Sequence, residues 1–241
     1  MNYKLKIQYD GTNYCGWQIQ KNAVTIQQVI FDTITVITKK KINLIGSGRT
    51  DTGVHALGQV ANFIIDEKLD VYKFKHSLNA ILPKDISIID MKETSEEFHS
   101  RFDAQKRSYI YLVSKIKSPF YNNYSYYLND NIDIDYLNEL SKSLLGEHNF
   151  TSFSKKNTDV KNKNCIIYDI HWKEYQDKIL FYIEANRFLH GMVRTIIGTL
   201  LFAQKNKWNK ENIIEIINSE DREKAGEAIP AKGLFLYKVK Y

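Results

Sequence analysis

The sequence predicts an α+β protein of two split βαβ halves, with mostly antiparallel sheets joined into one extended sheet and helices on one face. Three observations carry that prediction. Short runs of alternating apolar and polar residues read as half-buried strands, apolar residues at helical spacing fill the stretches between them, and the order β-α-β-β-α-β of the first half recurs in the second. The 241 residues suffice for two domains of about 120 residues each. A boundary after Gln105 separates an N-terminal domain, 1–105, from a C-terminal one, 106–241.

The elements follow in order. In YKLKIQY, Tyr3, Leu5, Ile7 and Tyr9 share one face and Lys4, Lys6 and Gln8 the other, the period of a strand. After the loop DGTNYCGWQIQKNAV, Thr25 with Gln28 forms a capping-box pattern. Ile26, Val29, Ile30, Ile34 and Ile37 then make the apolar stripe of a helix. Strands are predicted at Ile42–Ser47 and Gln59–Ile65. Asp70 caps a second helix running to about Ala80, and ISIIDMKE is the fourth strand.

In the second half KRSYIYLVSK alternates as a strand, and Asp133 caps a helix that stops at Gly146. CIIYDIHWKEY and ILFYIEAN pair as a hairpin around Gln176–Lys178. FLHGMVRTIIGTLLFAQ is a strongly apolar helix, NKENIIEIINS a shorter one, and LFLYKVKY a closing strand. The halves share no residue-level repeat, so the duplication is one of architecture.

Composition narrows the function classes. Lys and Arg number 34 against 28 Asp and Glu, a formal charge of +6 that favours an anionic partner such as nucleic acid. Cys15 and Cys165 are far apart, which argues against a disulfide framework or a thiolate metal site and suits a reducing, cytoplasmic setting. The first residues alternate like a strand and carry no apolar signal core. No uncharged apolar run approaches the ~20 residues of a membrane span. The segment Ser154–Asn164, with Lys155, Lys156, Lys161 and Lys163 and no apolar period, reads as a solvated loop that is either merely soluble or phosphate-gripping.

The stretch GSGRTDTGVHA holds the candidate chemistry. Gly48 and Gly53 have the glycine spacing of a phosphate loop, yet Val54 and His55 stand where Lys and Ser or Thr are required, and Asp51 would repel a phosphate. The histidines form no metal-ligand pattern, the zinc deaminase signature is absent, and Ser47 lies outside any G-x-S-x-G elbow. Asp51 itself remains: a carboxylate can attack a sugar anomeric carbon or act as a general base, and a nearby cation keeps it ionised. Arg49 is two residues away. Arg194 sits one turn beyond His190 in an apolar helix, where a guanidinium needs a partner, either this carboxylate or a structural one. His190 reads as a packed core residue. Tyr109 and Tyr111 share a strand face and either stack on an extruded base or pack in the core.

From the residues alone, an RNA-acting enzyme competes with a non-catalytic RNA-binding module and with a carboxylate glycosidase. The second lacks an RNP1-like run, and the third wants two carboxylates.

Five blocks, in order, resemble the tRNA pseudouridine synthase A family: YDGTNYCGWQIQ, GRTDTGVHALGQV, FHSRFDAQKRSYIYLV, NRFLHGMVRTIIG and IPAKGLFL. The departures are small, chiefly Ser108 where a basic residue is frequent and Ile229 where Ala is. The resemblance implies isomerisation of uridine to pseudouridine in the tRNA anticodon stem-loop, without cofactor or metal, by a homodimer. It makes Asp51 the catalytic residue, through attack on C1′ or removal of a sugar proton. It makes Tyr109 the ring that stacks on the flipped base, Arg194 the partner of Asp51 and Leu234 an apolar contact of the site. Arg49 is implied to help extrude or replace the base.

Overall fold

The computed structural model of the chain describes residues 1–156 and 160–241. Two compact units are present, Met1–Gln105 with Phe235–Tyr241, and Lys106–Leu234.

In the first unit the order is β1 (Asn2–Tyr9), α1 (Ile26–Thr38), β2 (Ile45–Gly46), β3 (His55–Ile64), α2 (Val71–Ile81) and β4 (Ile86–Thr94). β1 lies between β4 and β3 and is antiparallel to both, and β2 pairs antiparallel with β3 through Ile45 opposite Asn62. That is the predicted split βαβ arrangement. The alternation of β1 buries Tyr3, Leu5 and Ile7 completely, and the stripe of α1 buries Ile26, Ile30 and Ile34 as fully. Each such side chain contributes about 1.5–3 kcal/mol by leaving water. α1 starts where predicted, with the Thr25 hydroxyl accepting from Gln28 N. Asp70 caps α2 through Lys73 N at 3.1 Å.

Two strands differ from expectation. β2 is only Ile45–Gly46, since the chain turns at once into the glycine-rich stretch, and β3 begins at His55, earlier than Gln59. Gly58 lets β3 run on: a Cβ there would strike the carbonyl oxygen of Tyr237.

In the second unit the order is β5 (Lys106–Ser114), β6 (Tyr126–Tyr127), α3 (Ile134–Ser141), β7 (Gly146–Asn149), β8 (Asn164–Tyr175), β9 (Lys178–Ala185), α4 (Met192–Lys205) and α5 (Lys210–Ser219). β9 lies between β5 and β8, and β8 pairs with β7, all antiparallel, while β6 adds in parallel to β5. Tyr111, Phe181, Ile183, Trp172, Leu137, Ile196 and Leu200 fill its core. The Trp172 indole N–H is satisfied by the Ser141 hydroxyl at 3.0 Å. The predicted hairpin turns at Gln176, at φ 54°.

Helix ends are less well predicted here. α3 stops at Ser141, a 3₁₀ turn carries the chain to Leu144, and Gly146, at φ 90°, opens β7. α4 begins at Met192 because Gly191 stands before it at φ 74°, so Phe188–Gly191 are not helical. His190 is therefore not a turn of helix below Arg194, nor is it a core residue: it is exposed, and its carbonyl accepts from Lys155 N at 2.9 Å.

The last strand, β10 (Leu234–Lys240), leaves the second unit at its first residue. Phe235 and Leu236 pair in parallel with His55 and Ala56 of β3, and Phe235 stacks on the His55 ring at 4.6 Å. Residues 235–241 thus group with the first unit, whereas the sequence assigns the whole of 106–241 to the second.

Candidate functional site

Asp51 lies half-buried in the turn that joins β2 to β3. On the way in, Gln59 of β3 braces the turn. Its Oε1 accepts from the Ser47 hydroxyl at 2.7 Å and its Nε2 donates to Gly48 O at 3.0 Å. Beyond Asp51 the turn closes through Val54 N to Asp51 O at 3.1 Å, and Gly53 takes φ 75°, a conformation that glycine adopts without strain. Arg49, two residues upstream, is exposed.

The first loop, Asp10–Trp17, grips this turn on both flanks. Before Asp51, Trp17 N donates to Thr50 O at 3.1 Å, and the hydroxyls of Tyr9 and Thr50 share a buried hydrogen bond of 2.8 Å. After Asp51, Gly53 N donates to Tyr14 O at 3.3 Å, and Gly11 N donates to Nδ1 of the buried His55 at 3.0 Å. Two glycines of the loop make the approach possible. A Cβ on Gly16, which sits at φ 82°, would run into Thr50 O, and one on Gly11 into Val54 O. The loop is held from outside by Tyr14, whose hydroxyl donates to Asp85 Oδ1 at 2.6 Å. Burial, with that carboxylate second, pushes the Tyr14 phenol well above its ordinary pKa. Tyr9, Tyr14, Gly16, Trp17 and Gln59 hold the Asp51 turn, a role for which the sequence did not single them out. The available signal was the density of Gly and aromatic residues in YDGTNYCGW, which residue types alone do not connect to a turn far along the chain.

The second unit assembles Arg194, Tyr111 and the segment Ile229–Leu234. Arg194, in the first turn of α4, donates its Nε–H to Ile229 O at 2.6 Å while Ile229 N donates to Arg194 O at 3.3 Å. The first bond ties the guanidinium to the Ile229 carbonyl, and the second holds that segment against the main chain of α4. The segment then passes over Tyr111, whose hydroxyl donates to Pro230 O at 2.8 Å, and a Cβ on Gly233 would meet the Tyr111 ring. Burial raises the Tyr111 phenol far above its usual pKa and the positive charge of Arg194 opposes the rise, which places the two side chains in one electrostatic environment. Leu234 is buried at the end of this segment.

The two tyrosines of β5 therefore have different surroundings. Tyr111 is a fully buried structural hydroxyl, whereas Tyr109 retains 8% exposure and presents its ring edge-on to Phe188, centroids 5.1 Å apart at 89°.

Other candidates carry less chemistry. Lys156 of the basic loop pairs with Glu223, and Glu220 and Asp221 lie in the same depression as Lys155, Lys163 and Arg222, so this surface is of mixed charge. Asn157, Thr158 and Asp159 of that loop lie outside the described residues. Among the described residues there is no group of three or more His, Cys, Asp or Glu side chains placed to hold a metal ion, and no helix long and apolar enough to cross a membrane.

Comparison with known proteins converges on one family. Residues 6–103 and 140–241 match the family described as tRNA pseudouridine synthase. The chain is 39% identical to tRNA pseudouridine synthase A of Thermoanaerobacter sp. (strain X514), across 100% of this chain and 99% of the relative. It is 42% identical to the protein of that name from Clostridium acetobutylicum, over 100% and 99%, and 40% identical to that of Bacteroides fragilis, over 99% and 96%. Among solved structures, a chain of a Cbf5–Nop10–Gar1 complex is similar at a TM-score of 0.37 and 13% identity, over 83% of this chain and 53% of that one.

Proposed function

The chain belongs to the tRNA pseudouridine synthase family, and on that premise we propose that Asp51 is the residue through which it isomerises uridine, in the anticodon stem-loop of tRNA. The activity is that of an isomerase, and its products differ from its substrates only in how one base is attached. The C1′–N1 bond of a uridine breaks, the uracil turns over, a C1′–C5 bond forms, and the proton on C5 is lost as one is gained at N1. Asp51 acts at the sugar, by attack on C1′ or by removal of a sugar proton.

The observation that carries this reading is the setting of Asp51. A single carboxylate stands in a turn whose two flanks are pinned by main-chain bonds from the first loop and a hydroxyl bond from the end of β1. A turn built only to reverse the chain has no need of such fixation, whereas a group that must meet one reacting atom does.

The second unit supplies the remaining roles in this proposal. Arg194 is the partner that orients the Asp51 carboxylate, with its own Nε–H tied to Ile229 O. Tyr109, whose ring packs against Phe188 rather than being locked by a hydroxyl bond to Pro230 as Tyr111 is, stacks on the flipped base, with Leu234 as an apolar wall. The exposed Arg49 contacts the RNA beside the vacated stack. The formal charge of +6 fits a phosphate-bearing partner, and a homodimer acting in the cytoplasm completes the proposal.

Mapping pseudouridine in an unmodified tRNA transcript after incubation with the chain tests the substrate. The expected result is new pseudouridine confined to the anticodon arm. Modification of another arm instead would overturn the site assignment, and no modification of any tRNA the activity itself.

A further inference from the structure

We propose that the hydrogen bond between the Tyr9 and Thr50 hydroxyls is a positioning device for Asp51, so that Tyr9 and Thr50 set the rate of the chemical step without touching the substrate. The inference rests on the reading of Asp51 as the reacting carboxylate and goes beyond it by assigning what aims that carboxylate.

Thr50 immediately precedes Asp51, so the torsions at Thr50 decide where the Asp51 side chain points. Thr50 is held at two separate atoms. Its carbonyl oxygen takes the Trp17 N–H at 3.1 Å, and its hydroxyl meets that of Tyr9 at 2.8 Å. One bond would leave the residue free to pivot about it; two bonds to different elements do not. Both anchors are themselves buried. Tyr9 ends β1, is 5% exposed and packs its ring against Trp17 with centroids 6.1 Å apart. Thr50 is 7% exposed, so water competes poorly for either hydroxyl. A Thr and a Tyr buried in this way are not required for packing, since Val and Phe would fill the same volumes. What the two hydroxyls add is direction.

The test uses the full chain and tritium release from tRNA labelled at C5 of uridine, with enzyme in excess. Tyr9→Phe and Thr50→Val each delete one hydroxyl and keep the shape. Each is expected to slow the single-turnover rate about tenfold, as a small misplacement of a reacting group does, while the Kd for tRNA stays at the native value. The double variant is expected to be no slower than either single, because both delete the same bond. Thr50→Ser keeps a hydroxyl and is expected to restore most of the rate. All rates are taken at a temperature where each variant is folded by circular dichroism, and if Tyr9→Phe unfolds there, the Thr50 pair decides alone. A native rate in the hydroxyl-deleted variants overturns the inference, as does a loss that appears only in Kd or one that multiplies in the double variant. Asp51→Asn separates the two layers. Turnover by that variant sinks the reading of Asp51, whereas an inactive Asp51→Asn beside an unimpaired Tyr9→Phe sinks only the positioning role.

Discussion

Gly16 of the first loop leaves little room for change beside the Asp51 turn. Its φ of 82° disfavours any side chain, and a Cβ would also press on the Thr50 carbonyl oxygen, which takes the Trp17 N–H. The left-handed conformation alone costs about 1–2 kcal/mol for alanine, and the clash adds to it. Gly16→Ala is therefore expected to lower the unfolding free energy by at least about 2 kcal/mol, read by urea denaturation, and to reduce turnover at a temperature where the variant is still folded. A variant with native stability and rate would show that loop and turn do not need this approach. Asp51 was legible in the sequence as a candidate only, because a carboxylate between a Thr pair and a Gly matches no phosphate loop, elbow or metal pattern. Its supports were not. Tyr9, Tyr14, Gly16 and Trp17 act through carbonyls, N–H groups and one hydroxyl on a turn far away in the chain, and such contacts leave no periodicity. Tyr111 shows the same limit. Alternation places it beside Tyr109, but only the bond to Pro230 O distinguishes a structural hydroxyl from a candidate stacking ring.

Among the elements, those defined by long apolar stripes or by caps were legible, and those that begin or end on a glycine were not. α1 follows from its stripe and from Thr25, and α2 and α3 start at the predicted Asp caps. α4 was read four residues too long at its start, since a glycine inside an apolar run is ordinarily tolerated. Here Gly191 at φ 74° ends the preceding turn and sets where the helix begins. A Cβ on Gly191 would meet nothing within 4 Å, so Gly191→Ala isolates the backbone term. The expected cost is about 1 kcal/mol, measured as a shift of the denaturation midpoint at constant slope. A midpoint unchanged from the native chain would mean that the turn relaxes without strain. β7, Gly146–Asn149, escaped prediction for another reason: four residues reading GEHN offer no alternation, and pairing with β8 alone makes them a strand.

For the whole molecule, the order of the longer elements in each half was legible, while the short β6 and β7 and the allegiance of the last strand were not. Sequence proximity puts LFLYKVKY with the second half, but parallel pairing with β3 is a tertiary fact that no local pattern encodes. Phe235 covers His55, and the Tyr241 hydroxyl donates to Ser100 O at 2.8 Å, so the end of the chain supports the unit that contains Asp51. Removing residues 235–241 is expected to raise amide hydrogen exchange in His55–Ile64 more than in α5 of the second unit. Greater loss of protection in α5 would contradict that assignment. The central claim, that this synthase works through Asp51 held in a pinned turn, is tested most directly by tritium release from tRNA labelled at C5 of uridine, comparing the native chain with Asp51→Asn at saturating tRNA. The expected result is tRNA bound with native affinity and no release above background in the variant. Release at the native rate would contradict the account.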